Sequence, residues 1–379
     1  MNSLRDILET SPRLRTLGAS ATSGISVEES PQPLGQPLWD WNHVRRVLLI
    51  RLRSIGDTVL ATPSIQALKR FLPHAEIDIL VEDWVAPVLD GHESVSEVIT
   101  LTGRSLTARA RTAGKIRGRR YDVVYNLHGG TTATFMTRAT GARHRVGYKS
   151  YQYAGLHNHQ APSPLLLWGQ EKTHSVEQQL ALLGWTGVPV TDRPRTKLAI
   201  TRQADDAVSQ RLSTAGLVDR RFALLHPAAA FATKQWDAKN FARIVEFLAE
   251  KNIATIAIAG PGETTVLDDL VAESQVGVVT FHLSLPEVTA LAARSSLFVG
   301  NDSGIAHIAS AAGTPCVVIF GSSNIAHWRP WNTAPAEVVH EPMPCQPCHG
   351  YFCEKFPEPE CILRVPVGRV TAAIDRLLS

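Results

Sequence analysis

The stretch Ser296 to Phe320, SLFVGNDSGIAHIASAAGTPCVVIF, restricts the possible folds more than any other part of the chain. Leu297-Phe298-Val299 is an apolar run that stops at Gly300, and the polar turn Asn301-Asp302-Ser303-Gly304 follows. Ile305 to Ala312 is a small-residue helical run, Gly313-Thr314-Pro315 ends it, and Cys316 to Phe320 is a second apolar run. The pattern reads as strand, tight turn, short helix, strand. Asp302 or Ser303 can cap the helix, and Gly304 lets a ligand approach the backbone closely. The free N–H groups at such a helix start, with its dipole, suit a phosphate. Ser303 and His307 are four apart and share one helix face. An N-cap and a buried core histidine would account for either residue alone. Turn, hydroxyl, carboxylate and imidazole within the six residues from Asp302 to His307 favour a ligand site.

The same alternation runs through the rest of the chain. Strands are expected at residues 44–50, 77–81, 95–101, 121–127 and 145–148, with a helix from Thr58 to Phe71 ended by Pro73. A second series begins with strands at 221–225, 253–259 and 278–281 and closes on a helix over 365–378. A chain of 379 residues is longer than one core usually serves. Strands alternating with helices imply parallel sheets with right-handed crossovers. The reading is therefore α/β, two doubly wound Rossmann-like domains facing a cleft. Residues 1–43 form a flexible leader rich in Pro and polar residues, with Trp39 and Trp41 available to dock on the first domain. The domains span 44–190 and 191–379, joined near Thr186 to Pro194. Ligands in such sheets sit at the carboxyl ends of strands. The loops carrying Asp57, His128, Lys234 and Asp302 all follow strands and so face the cleft.

Each loop offers a chemistry. Asp57 follows Gly56 at a helix start, where an acid favoured by the dipole is common. In the cleft the same carboxylate can serve as general base toward a sugar hydroxyl. Lys234 is a point charge on a flexible stem that suits phosphate, and the Thr233 hydroxyl can add a bond. Seven cations, Arg104, Arg109, Arg111, Lys115, Arg117, Arg119 and Arg120, fall within 17 residues that contain no acid. Such a run suits an acidic partner such as anionic lipid or a phosphorylated acceptor. Nucleic acid is not indicated, because the formal charge is only +3 and no RNA-binding aromatic pattern accompanies the run. No apolar run approaches the roughly 20 residues of a membrane span. The N-terminus MNSLRDILETSPRLRTLG lacks an export signal's apolar core, which points to the cytoplasm with membrane-surface contact still open.

Four of the five cysteines, Cys345, Cys348, Cys353 and Cys361, follow a C-x2-C-x4-C-x7-C pattern. Clustered cysteines in a reducing compartment suit a structural zinc or iron–sulfur site, free thiols, or a disulfide formed on oxidation. Gly260-Pro261-Gly262-Glu263 lacks the full glycine fingerprint of a dinucleotide turn.

Taken together, several blocks resemble glycosyltransferase family 9, the ADP-heptose:lipopolysaccharide heptosyltransferases. They are VLLIRLRSIGDTVLATPSIQALK (Val47 to Lys69), HSVEQQLALLG (His174 to Gly184), LLHPAAAFATKQW (Leu224 to Trp236) and VGNDSGIAHIASAAGTPCVVIFG (Val299 to Gly321). The resemblance implies a GT-B fold and an inverting transfer of heptose from ADP-heptose without a catalytic metal or other cofactor. It implies that Asp57 is the general base and Lys234 the cation on the donor diphosphate. Thr233, Asp302, Ser303, Gly304 and His307 would complete the donor site. The first domain would hold an anionic inner-core saccharide on lipid A, through Arg53, His128, Arg117 and Arg120, at the inner face of the membrane. Three positions depart from the family pattern: Ala228 after His226-Pro227, Ile305 after Ser303-Gly304, and Ser322 after Gly321. A nucleotide-sugar epimerase of the same fold and a non-catalytic binding protein are the alternatives.

Overall fold

A computed structural model describes residues 30–103, 105–348 and 350–379, so most of the expected leader and Arg104 lie outside it. Among the described residues, the first half contributes β1 (Arg46–Ile50), β2 (Glu76–Glu82), β3 (Glu97–Leu101), β4 (Val123–Asn126), β5 (His144–Tyr148) and β6 (His159–Ala161). The second contributes β7 (Phe222–His226), β8 (Ala254–Ile258), β9 (Val279–Phe281), β10 (Leu297–Asn301), β11 (Cys316–Phe320) and β12 (Ala336–His340). Each set forms one six-stranded sheet, ordered β3-β2-β1-β4-β5-β6 and β12-β11-β10-β7-β8-β9. The central pairs are parallel, with Val47 opposite Ile77 and Val123, and Phe298 opposite Leu224 and Cys316. Such sheets are covered by helices on both faces, which is why β1, β7, β10 and β11 are nearly continuous apolar runs.

Strand order reverses between β1 and β4 in one sheet and between β7 and β10 in the other. Connections leave in opposite directions there, which opens a crevice at the carboxyl ends. The loops after these four strands carry Asp57, His128, Lys234 and Asp302. Each sheet thus presents its own crevice, and both crevices hold the residues singled out in the sequence.

Several elements differ from expectation for identifiable reasons. The helix expected from Thr58 to Phe71 is two helices, Ile55–Val59 and Thr62–Phe71, because Pro63 cannot continue the first and starts the second. Strands β6 and β12 and the helix Ile325–Trp328 were not anticipated. Trp41 is buried in the first core, and its indole N–H donates to the Thr186 carbonyl at 3.1 Å. Chain order also fails to separate the two cores. Val59, Val85 and Val88 from the first half are buried in a core of the second. Trp331 returns from the second half into the first core, and its indole N–H donates to the Pro194 carbonyl at 3.0 Å.

Candidate active site

The site begins where β1 ends. Ser54 opens the helix Ile55–Val59, and Asp57 stands three residues in. Its Oδ2 accepts the Ser54 backbone N–H at 3.1 Å and the Ser54 hydroxyl at 3.2 Å. Its Oδ1 is ion-paired with the Arg51 guanidinium. Burial pushes the Asp57 carboxyl up, but Arg51 and the Ser54 hydrogen bonds outweigh it, so the acid is held below the usual range. Asp57 is therefore a carboxylate at neutral pH.

The opposite wall comes from β7 and β10. Lys234 Nζ lies 2.8 Å from Asp302 Oδ2, and Asp302 is 5% exposed. The Ser323 hydroxyl donates to the same oxygen at 2.5 Å. A buried carboxylate needs such partners, and they fix the lysine at the cleft. The loop behind it is stapled. Asn301 donates to the Pro227 carbonyl at 2.8 Å and accepts the Trp236 N–H at 3.2 Å. Ser303, not Asp302, is the N-cap of the helix Gly304–Ala311, and its hydroxyl also lies 3.2 Å from His226 Nδ1. Glu263 Oε2 stands 3.9 Å from the other nitrogen of that ring.

The walls meet at two glycines. A Cβ on Gly56 would lie 2.7 Å from His307 Cδ2, and one on Gly304 would lie 2.8 Å from Ile55 Cβ. The smallness of Gly304 thus lets the first half of the chain pack closely against this helix start. His307 sits at this junction, within the fields of Asp302, Asp57 and Lys234. Burial holds it below the ordinary histidine value, so the ring is neutral, and its Nδ1 has no partner among the described residues.

Other expected residues are placed differently. The Thr233 hydroxyl is fully buried, donating to the Gly350 carbonyl at 3.1 Å and accepting from Ser322 at 2.9 Å. It braces the cysteine loop rather than facing the cleft. Arg117 lies at the end of the helix Leu106–Gly118 and Arg120 just beyond it, and that helix runs back to the amino ends of the strands. Arg46, the first residue of β1, donates to the Arg119 carbonyl at 3.0 Å, which marks that end of the sheet. The basic run is also less bare than it reads. Glu97 pairs with Lys115 at 2.7 Å and Arg119 at 2.6 Å, and buried Asp78 pairs with Arg119 at 2.7 Å. Arg117 and Arg120 are therefore remote from Asp57. Arg53 is exposed beside it, and His128 stands near both. Burial, with Arg51 next in weight, lowers His128 to about 4 and keeps it neutral.

The four loop cysteines line one cavity of about 400 Å³. Burial and the three neighbouring thiols push Cys361 up to about 11. Among the described residues, no three His, Cys, Asp or Glu side chains converge closely enough to hold an ion. The set suits a thiophilic ion in kind and number, while the thiols stand apart in the geometry of an open loop.

Sequence reasoning passed over Arg51, the ion-pair partner of Asp57, although it lies in a quoted motif.

A sequence profile described as glycosyltransferase family 9 (heptosyltransferase) matches residues 109–356. The chain is 26% identical to lipopolysaccharide heptosyltransferase 3 of Escherichia coli, over 86% of this chain and 97% of that protein. Its fold resembles that of E. coli ADP-heptose lps heptosyltransferase II, with a TM-score of 0.73 at 20% identity over 88% of this chain and 98% of the other. It also resembles the iron-containing dodecameric glycosyltransferase TibC of enterotoxigenic E. coli, with a TM-score of 0.54 at 14% identity over 92% and 79% of the two chains.

Proposed function

This chain belongs to glycosyltransferase family 9, and from that premise we propose that it moves a heptose or related sugar from an ADP-sugar to a lipopolysaccharide inner-core saccharide, with inversion. The protein is a glycosyltransferase with the two-domain GT-B architecture. The observation that carries the finer reading is the meeting of the two crevices. Asp57 on one wall and the Lys234–Asp302 pair on the other both act on the single buried ring of His307.

In the proposed reaction the acceptor hydroxyl attacks the anomeric carbon from the face opposite ADP. The new C–O bond forms as the bond to the diphosphate oxygen breaks, and ADP leaves with that electron pair. The hydroxyl proton passes to the Asp57 carboxylate, which its partners keep ionised and ready to accept. Negative charge grows on the diphosphate. Lys234 and the N–H groups opening the helix Gly304–Ala311 balance it, and they need little rearrangement because Asp302 holds the lysine and Ser303 caps the helix. Ser322, Thr233 and Gly350 fix the loop from behind.

No step passes through a metal. We place a structural zinc or iron ion, if bound, at Cys345, Cys348, Cys353 and Cys361, where it would brace the loop against Thr233. Protein purified without oxygen should then carry about one ion per chain, and an ion-free preparation would remove the assignment. The donor is tested by the melting-temperature response to ADP-, GDP- and UDP-sugars. ADP-heptose should give the largest rise. A larger response to a GDP- or UDP-sugar would overturn the proposed donor.

A further inference from the structure

The turn that carries Lys234 is short. Ala232–Lys234 is a three-residue 3-10 helix, closed by the Lys234 N–H on the Phe231 carbonyl at 2.9 Å and the Gln235 N–H on the Ala232 carbonyl at 3.1 Å. A single turn of this kind has poorer hydrogen-bond geometry than an α-helix and no length to stabilise it. Groups outside the turn must therefore fix the backbone from which the lysine reaches. The Asp302 carboxylate holds only the far end of that side chain.

Phe231, the residue that opens the turn, is held from a remote part of the sequence. Its ring centroid lies 4.3 Å from that of Tyr351, with the planes tilted by 51°. Lys234 Nζ sits over the same Phe231 ring, 5.3 Å from its centroid. Tyr351, Phe231 and the ammonium thus form a chain of contacts that ends on the cation assigned to the donor diphosphate. Tyr351 is 63% exposed, so its place is not explained by burial in a core.

Tyr351 belongs to the loop of four cysteines, and Gly350 directs it. The Gly350 carbonyl accepts the Thr233 hydroxyl at 3.1 Å, and a Cβ on Gly350 would lie 2.7 Å from the Phe352 carbonyl oxygen. The tip therefore turns tightly, and two successive residues of it, Gly350 and Tyr351, grip Thr233 and Phe231 of the lysine turn. Behind the tip, the Cys348 N–H donates to the Ser322 carbonyl at 2.9 Å and the Gln346 amide to the Gly321 carbonyl at 2.6 Å.

We propose that Tyr351 is a positioning residue for donor binding: by packing on Phe231 it holds the ring beneath the Lys234 ammonium and so sets the lysine toward the diphosphate. The inference rests on the transferase reading and adds to it, because it makes the tip of the cysteine loop part of the donor side of the site.

The test uses the full chain and ADP, with binding read by calorimetry and folding by melting temperature. Tyr351→Ala should weaken ADP about fivefold, the size expected of one aromatic pair with its cation–π contact. The KM for ADP-heptose should rise by the same factor, with kcat within about twofold of the unmodified value. Tyr351→Phe keeps the ring and should bind ADP as the unmodified protein does. In Lys234→Ala/Asp302→Asn no lysine remains to be positioned, and there Tyr351→Ala should cost nothing further, since residues acting through one contact are not additive. Should Tyr351→Ala not fold, Phe231→Leu carries the same expectations. Unchanged ADP affinity in Tyr351→Ala, an equal loss in Tyr351→Phe, or the same loss in the background without Lys234 would overturn the positioning role. An unmodified protein that binds no ADP would instead strike the transferase reading, and this role with it.

Discussion

In the proposed reaction Asp57 and Lys234 carry the chemistry, and their surroundings determine what their removal does. Asp57→Asn keeps the helix cap but cannot take a proton, so kcat should fall about 10²–10⁴-fold while ADP still raises the melting temperature. An unchanged kcat would discard Asp57 as base. Because Arg51 and Ser54 hold the carboxyl below its ordinary value, kcat should stay flat from pH 8 down past 5. Loss belongs below the usual carboxylate value of about 3.9, and a limb near pH 6.5 would point to a histidine instead. Lys234→Ala removes a donor cation and strands the buried Asp302 carboxylate, which is destabilising by about 3–5 kcal/mol. Adding Asp302→Asn should recover stability but not donor affinity, which separates the two roles by melting and by ADP titration. The places of Asp57, Lys234 and Asp302 were legible because each follows the carboxyl end of a strand. Arg51 was not, since its pairing with Asp57 is a property of tertiary packing. Thr233 misled because a hydroxyl beside a lysine gives no sign of facing inward.

At the level of elements, the helix starts at Gly56 and Gly304 are the contact between the two crevices. A Cβ at Gly56 meets the buried His307 ring at 2.7 Å, so Gly56→Ala should lower stability by about 1–3 kcal/mol and reduce kcat. A wild-type melting curve would contradict the contact. The helix Leu106–Gly118 makes the opposite point. Arg117→Glu should leave the acceptor KM unchanged, whereas Arg119→Ala should lower the melting temperature by removing the charge partner of Asp78, which is 0% exposed and keeps only the Tyr121 hydroxyl. A run of cations in sequence cannot show that Asp78 and Glu97 arrive from other strands to meet it. Nor does sequence period reveal β6, His159–Ala161, whose three residues lack an apolar run. Strands β1, β7, β10 and β11 were legible because burial on both faces leaves almost no polar position in them.

Across the whole molecule, the two sheets repeat one topology, and the cleft between them depends on buried, uncharged histidines. His174 and His226 are 1% and 4% exposed, and burial lowers them to about 3 and about 4. The unfolded chain takes up these protons first, near pH 6.5, so stability is full above that value and is lost as pH falls toward 4 and below. The two rings contribute on the order of 3–5 kcal/mol each to that loss. Melting temperature should therefore decline between pH 7 and 4, and a flat profile would contradict the buried neutral rings. The most direct test of a two-walled transfer site is acceptor-dependent release of ADP from ADP-heptose. With a lipopolysaccharide inner-core acceptor present, ADP and glycosylated product should appear in equal amounts in the unmodified enzyme and be lost together in Asp57→Asn. ADP release that ignores the acceptor, or that persists in Asp57→Asn, would contradict the account.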